Sequence, residues 1–198
     1  MEVTLHIPTS HLFGSIVLRA LEFAALAHEG QRRRGAAQVP YISHPAAVGL
    51  ILARAGFGDS VVAAGVLHDV IEDTPVTAGE LAVHFGEAIT KIVLGVSEDK
   101  SLVYDARKAR YVQQIRSASS EIKAVSSADK IANLTNLIIL YEAGEDAFAV
   151  VYPHNTVDRV ARQAQAEYEA VAYNFDHTIV REHRTVLDVF LKRLQRIE

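Results

Sequence analysis

The sequence predicts an all-α fold, a single domain of about eight or nine helices. Apolar residues recur at spacings of three and four, and strand-like alternation is scarce. Capping residues, glycines and prolines fall between the periodic stretches, where helix ends belong. No repeat, low-complexity tract or linker divides the 198 residues.

Ser15 suits the cap of a helix carrying Ile16, Leu18, Leu21, Phe23 and Leu26, which Gly30 ends. Residues 30–41 contain Gly30, Gly35 and Pro40 and read as a loop. Pro45 fits the first turn of the next helix, where its missing N–H is harmless. That helix carries Val48, Leu50, Ile51 and Leu52 and stops at Gly56. Asp59 caps an unusually apolar helix, Ser60 to Asp73. Thr74-Pro75 ends it, because the residue before proline is pushed out of the α region. Thr77-Ala78-Gly79-Glu80 is a capping box opening a short helix to Phe85, and another helix runs from Glu87 to Ser97. Asp105 opens one toward Arg116, and Glu121 to Tyr141 is long and closes at Gly144. Asn155 to Phe175 and Asp176 to Ile197 complete the chain. The chemistry-bearing part spans about 15–142 and the C-terminal helices about 155–197. Val157, Val160, Val171, Val186, Val189, Phe190 and Leu194 recur there at helical spacing. Core packing is the first reading of these faces and a homodimer contact the second.

The composition is 49% hydrophobic and 22% charged, enough for a buried core without covalent staples. The absence of cysteine excludes a disulfide framework, thiolate metal sites and thiol catalysis, and it fits a reducing cytoplasm. A net charge of −4 argues against a nucleic-acid partner. The start, Met1-Glu2-Val3-Thr4-Leu5-His6, lacks a basic n-region and an apolar h-region. The longest apolar run, Val61–Leu67, is far shorter than the roughly 18 residues of a membrane span.

The oddity lies in the most apolar helix. His68, Asp69, Glu72 and Asp73 fill its C-terminal half. His68 and Glu72 share one face, and Asp69 and Asp73 share a second, rotated by about 100°. Carboxylates are poorly placed at that end of a helix dipole, and burying them unpaired is costly. Something positive must offset them. A divalent cation is the simplest candidate, and imidazole with carboxylate suits Mn, Fe, Ni or Zn. His44, beside Pro45, and Asp129, inside a largely apolar helix with Asn133 one turn on, stand in similar settings. His44, His68, Asp69 and Asp129 together would give two imidazoles and two carboxylates, with room left for water or a phosphate oxygen. Basic residues stand nearby in sequence: Gln31-Arg32-Arg33-Arg34-Gly35 precedes His44, and Lys100, Arg107 and Lys108 follow the Glu87–Ser97 helix. Arginine forks suit phosphate oxygens. Tyr41 is placed either to stack on a base or to plug the core.

This order of motifs resembles the HD-domain metal-dependent phosphohydrolases. More narrowly, it resembles the hydrolase domain of the RelA/SpoT alarmone enzymes and their stand-alone small relatives of the metazoan SpoT homologue type. The matching stretches are His28-Glu-Gly-Gln31-Arg32-Arg33, Pro40-Tyr41-Ile42-Ser43-His44-Pro45, Leu67-His68-Asp69-Val-Ile-Glu72-Asp73-Thr74, His84-Phe85-Gly86, Val96-Ser-Glu-Asp-Lys100 and Ala128-Asp129-Lys130-Ile-Ala-Asn133-Leu134, over about residues 24–137. The resemblance implies an HD-type helical bundle and one Mn²⁺ on His44, His68, Asp69 and Asp129. It implies an acid/base pair in Glu72 and Asp73, and Arg33, Lys100 and Asn133 facing the substrate. The implied reaction is removal of the 3′-pyrophosphate from ppGpp or pppGpp. An adenosine alarmone or the 2′-phosphate of NADPH are alternatives, and a non-catalytic nucleotide sensor is a third reading. Two departures stand out. Many relatives carry Arg where this chain has Thr135, and the 141–175 segment is longer than in compact relatives.

The residues themselves support such chemistry. A divalent cation lowers the pKa of a water it binds. Glu72 and Asp73 lie within a turn of the ligand candidates, and two close carboxylates resist ionising together. One base and one acid would then come from adjacent residues.

Overall fold

Val62 to Leu67 carries no polar side chain, and in the computed structural model all six residues are buried. A helix apolar on every side belongs at a core's centre. This one is α3, Asp59–Leu67. The structure describes residues 14–35, 38–143, 151–152 and 155–194. Around α3 pack α1 (Ser15–Ala27), α2 (Ser43–Arg54), α5 (Ala78–Val96) and α7 (Ser120–Glu142), with α4 (Val70–Asp73) as a single turn after it. Outside them lie α6 (Tyr104–Arg116), α8 (Val157–Ala172) and α9 (Thr178–Leu194). Among the described residues there is no strand; Arg32 and Pro40 form one isolated antiparallel bridge. No described helix is long and apolar enough to cross a membrane.

The core is one large cluster around α3 and a smaller one where α7, α8 and α9 meet through Leu134, Leu137, Val160, Leu187, Phe190 and Leu194. The C-terminal helices thus bury their periodic faces internally, as core packing requires. Glycine makes the central contact close. A Cβ on Gly49 of α2 would lie 2.6 Å from Val66 Cγ2 on α3, and one on Gly65 would overlap Leu52 Cδ1.

Several expected elements are redrawn. The helix expected over Ser60–Asp73 is interrupted at His68-Asp69. His68 Nδ1 donates to the Gly65 carbonyl at 2.7 Å, the oxygen that a continuous helix would offer to the Asp69 amide. Asp59 does not cap its own helix; its carboxylate accepts the Gly14 N–H at 3.0 Å and so tethers the start of α1. The face of α1 that is buried carries Val17, Ala20 and Ala24, while Leu18 and Leu26 are exposed, because small residues let α1 lie close to α3. The capping box forms as expected, with Thr77 Oγ1 accepting from Glu80 N and Glu80 Oε2 from Thr77 N. The helices expected to Phe85 and from Glu87 form one element, α5, bent at Gly86, whose φ of 80° favours glycine. The helix expected over Asn155–Phe175 is Val157–Ala172, capped by Thr156. The ends placed at Gly144 and Ile197 lie outside the described residues.

The close approach of α2 and α3 sets a prediction. Gly49→Val should lower stability by about 1–3 kcal/mol through overpacking against Val66, read as a lower urea midpoint with an unchanged slope.

Candidate metal centre and active site

Three segments bring four candidate donor side chains together. His44 comes from the first turn of α2, His68 and Asp69 from the break between α3 and α4, and Asp129 from the middle of α7. His44 Nε2 lies 3.1 Å from Asp129 Oδ1 and 3.6 Å from Asp69 Oδ2. His68 Nε2 lies 3.2 Å from Asp69 Oδ2 and 3.6 Å from Asp129 Oδ1. Atoms about 2.0–2.2 Å from one shared ion stand roughly 3.0–3.6 Å from each other. The His68 bond to Gly65 fixes Nδ1 as the donor, so Nε2 turns toward the carboxylates; it is buried and has no aligned hydrogen bond. His44, His68 and Asp129 form a cluster able to hold a divalent metal ion. Imidazole nitrogen with carboxylate oxygen is a donor set that fits such an ion.

Charge is balanced without the cation by protons and neighbours. Burial opposes charging His68, but Asp69 and Asp129 outweigh it and hold the imidazole well above its ordinary pKa. Burial likewise works against ionised Asp69, and His68 and His44 pull its pKa down regardless. For Asp129, burial is outweighed by Lys130, His44 and His68, and the pKa falls well below normal. Asn133 Nδ2 also donates to Asp129 Oδ1 at 2.7 Å, and Lys130 Nζ sits 3.0 Å from Oδ2.

Tyr41 reaches the donor cluster through its hydroxyl and also lines the cavity that holds Arg32, Arg33 and Arg34. Its hydroxyl donates to Asp69 Oδ2 at 2.6 Å and lies 3.4 Å from Asp73 Oδ2. Burial and the charge of Asp69 push its pKa far above that of a free phenol, so it stays a donor. His28 packs against its ring with centroids 4.8 Å apart. Gln31 then ties this loop to α4, with Nε2 donating to the Asp73 carbonyl at 2.9 Å.

Glu72 and Asp73 face different chambers. Glu72 lines a cavity of about 190 Å³ with the four donors, Glu98, Lys108, Lys130 and Asn133. Asp73 lines an adjoining cavity of about 380 Å³ with Arg32, Arg33, Arg34, Tyr41 and Asn133. Lys100 bridges the pair: its Nζ is 3.5 Å from Glu72 Oε1, donates to the Glu72 carbonyl at 3.0 Å, and is ion-paired with Asp73. Mutual repulsion is therefore relieved. Burial is what raises the Glu72 pKa, against the opposing Glu98 N–H and Lys100. Burial also works against Lys100, but Asp73 and Glu72 outweigh it and raise its pKa.

The remaining basic residues divide. Arg33 reaches Asn133 Oδ1 at 3.4 Å and covers the Tyr41 ring. Arg32 is exposed at the cavity rim. Lys108 lines the 190 Å³ cavity but bonds Glu98 at 2.6 Å. Arg107 points at Glu98 from 3.0 Å and lies over the Tyr104 ring, lining neither chamber. Thr135 lines a further groove with Ala47, Ile51 and Glu182, which shares Arg33 and Asn136 with the arginine cavity and His44 with the donor cavity.

Two buried charges escaped the sequence reading. Lys130, mostly buried, lies beside Asp129. Glu167 of α8 is buried against it. Both were visible in register: Lys130 lies between Ser127 and Leu134 of one buried stripe, and Glu167 continues the Val160–Ala164 face.

A helical core built on a split His-Asp pair, with two further donors from neighbouring helices, defines a class. The sequence matches the model of the HD domain family over residues 20–172, and the chain belongs to that family. Within it, the chain is similar to the guanosine-3′,5′-bis(diphosphate) 3′-pyrophosphohydrolases MESH1 of Mus musculus and Homo sapiens. Each is 42% identical over 123 residues, 61% of this chain and 69% of the relative. A guanosine-3′,5′-bis(diphosphate) 3′-pyrophosphohydrolase of Borreliella burgdorferi is 32% identical over 165 residues, 79% of this chain but 22% of its own length. Among solved structures, a metazoan orthologue of SpoT superposes with a TM-score of 0.73 over 92% of this chain and 94% of its own, at 24% identity. The Listeria monocytogenes protein lmo0812 does so at 0.68 over 80% and 98%, at 31% identity.

Protonation and cation binding at His68 should oppose each other. Without metal, the raised His68 pKa contributes stability that is full below about pH 6.5 and is lost as pH rises through the folded value. The lowered Asp69 and Asp129 contribute stability present above about pH 4 and lost only as pH falls through their folded values. In a chelator, Tm should therefore fall from about pH 6.5 upward. Mn²⁺ at about 100 times its Kd should add about 2.7 kcal/mol, and at a fixed Mn²⁺ concentration the gain should grow as pH rises. Asp129→Asn should abolish the Mn²⁺-dependent rise in thermal melts.

Proposed function

We propose that this chain is a Mn²⁺-dependent guanosine-3′,5′-bis(diphosphate) 3′-pyrophosphohydrolase acting on ppGpp and pppGpp. The observation that carries the reading is the meeting of four donors with Glu72 at one wall of a chamber that opens onto three arginines. The named activity of the MESH1 relatives supports it.

His44, His68, Asp69 and Asp129 would hold the cation, which supplies Lewis-acid charge and lowers the pKa of a water within reach. Glu72 lines that chamber, and its raised pKa suits it to take a proton from the attacking water. Asp73, with Lys100 between it and Glu72, stands on the nucleotide side, where the ribose 3′ oxygen needs a proton as it leaves. Water adds to the phosphorus next to the ribose, the bond to the 3′ oxygen breaks, and GDP or GTP and pyrophosphate result. Arg32, Arg33 and Arg34 against the one carboxylate of Asp73 leave the larger cavity cationic, as a bound diphosphate needs. Asn133 joins both chambers and holds Asp129 and Arg33 in register. Lys108 and Arg107 act through Glu98.

The base is open to a second reading. Asn136 lines the arginine cavity, and its amide both donates and accepts, so an adenosine alarmone is an alternative substrate; NADPH belongs in the same comparison. A pure sensor would not need Glu72 beside the donors. We further read the chain as one HD-type domain, located in the cytoplasm in keeping with its lack of cysteine. A homodimer belongs to the same proposal.

Purified protein with Mn²⁺ should release pyrophosphate from ppGpp, measured by chromatography beside ppApp and NADPH. Glu72→Gln should lower kcat by about 10²–10⁴ with little change in KM. Arg33→Ala should act mainly on KM. Absence of pyrophosphate from ppGpp, with a competent control enzyme alongside, would refute the assignment, and pyrophosphate from ppApp alone or orthophosphate from NADPH alone would move it to that substrate.

A further inference from the structure

We propose that Glu167, on α8, is a positioning residue for the metal centre: it holds Lys130 beside Asp129 and thereby sets how strongly that carboxylate can hold a divalent cation. The inference rests on the metal-site reading above and adds a residue outside the motif stretches of about 24–137.

Lys130 Nζ lies 3.0 Å from Asp129 Oδ2 and 3.6 Å from Glu167 Oε2, with the Tyr111 ring centroid at 5.0 Å. An ammonium this close to a ligand oxygen repels any cation the ligand would bind, unless a second anion shares it. Glu167 is that anion. It is 7% exposed, its Oε1 accepts from Gln163 Nε2 at 2.8 Å, and it lies 3.8 Å from Lys108 Nζ. Lys108 in turn bonds Glu98, whose backbone N–H donates to Glu72 Oε2 at 3.0 Å. Charge thus alternates along Asp129, Lys130, Glu167, Lys108 and Glu98. Among these residues, Glu167 touches both lysines, and it links the wall holding Asp129 to the wall holding Glu72. Lys108, Lys130 and Glu167 line a cavity of about 140 Å³ together with Tyr152 and His183.

Glu167→Gln keeps the shape and a hydrogen bond to Gln163 while removing the charge. Mn²⁺ binding, followed by the paramagnetic resonance of the free ion, should weaken about tenfold. If Glu167 acts through Lys130, the same change made on a Lys130→Met background should alter Kd by less than about twofold. A merely structural role would instead lower the Tm in chelator on both backgrounds and leave the two changes additive in Kd. A Glu167→Gln protein that binds Mn²⁺ like the parent, or a tenfold loss that persists without Lys130, overturns the proposal. The comparison of Lys130→Met with the double variant carries the test should the single variant not fold, since the double variant leaves no unpaired charge at that site. A parent protein that binds no Mn²⁺ would refute the metal-site reading and this proposal with it, whereas binding by the parent with an inert Glu167 refutes this proposal alone.

Discussion

Asp69 and Asp129 bring two carboxylates into the interior of a helical core, each within 3.6 Å of the same pair of imidazoles. Charges so placed require compensation, since stranding one in a dry interior costs several kcal/mol. The protein compensates them in layers. The imidazoles come first, then a phenol on Asp69 and an ammonium and an amide on Asp129. A divalent cation would find the His68 ring already fixed through its other nitrogen.

The same constraint explains the break in the central helix. An unbroken helix would keep His68 and Asp69 on faces about 100° apart. Releasing the Gly65 carbonyl to the His68 ring ends α3 and lets both side chains address one point. It also turns Glu72 and Asp73, neighbours in sequence, toward two chambers. Lys100 then lies between them, so their different environments come from burial and from this cation rather than from mutual repulsion.

Support for the site comes from opposite sides of the molecule. The 28–41 loop approaches through Tyr41 and Gln31, fixed by the His28 ring and the Arg32–Pro40 bridge. From the other side, α8 approaches through Glu167 and the two lysines. A loop carries the arginines at one cavity, and helices hold the donor candidates, where geometry drifts least.

The helical class, most of the helix order, the four donor candidates and the acid pair were legible in the sequence. Each is a local matter: spacing, capping chemistry, or a polar residue where apolar ones belong. Tyr41, Lys130 and Glu167 were not assigned their partners, because a phenol, an ammonium and a carboxylate can each face solvent or one another equally well along a helix or loop. Which of the three arginines reaches Asn133, why Arg107 turns to Glu98, and that Asp59 holds α1 rather than its own helix depend on contacts between segments far apart in the chain. The sequence by itself determined which residues are too polar for their surroundings. Only the tertiary structure decided which of them compensate each other, because electrostatic pairing depends on distances of a few ångströms between elements and periodicity carries no record of those.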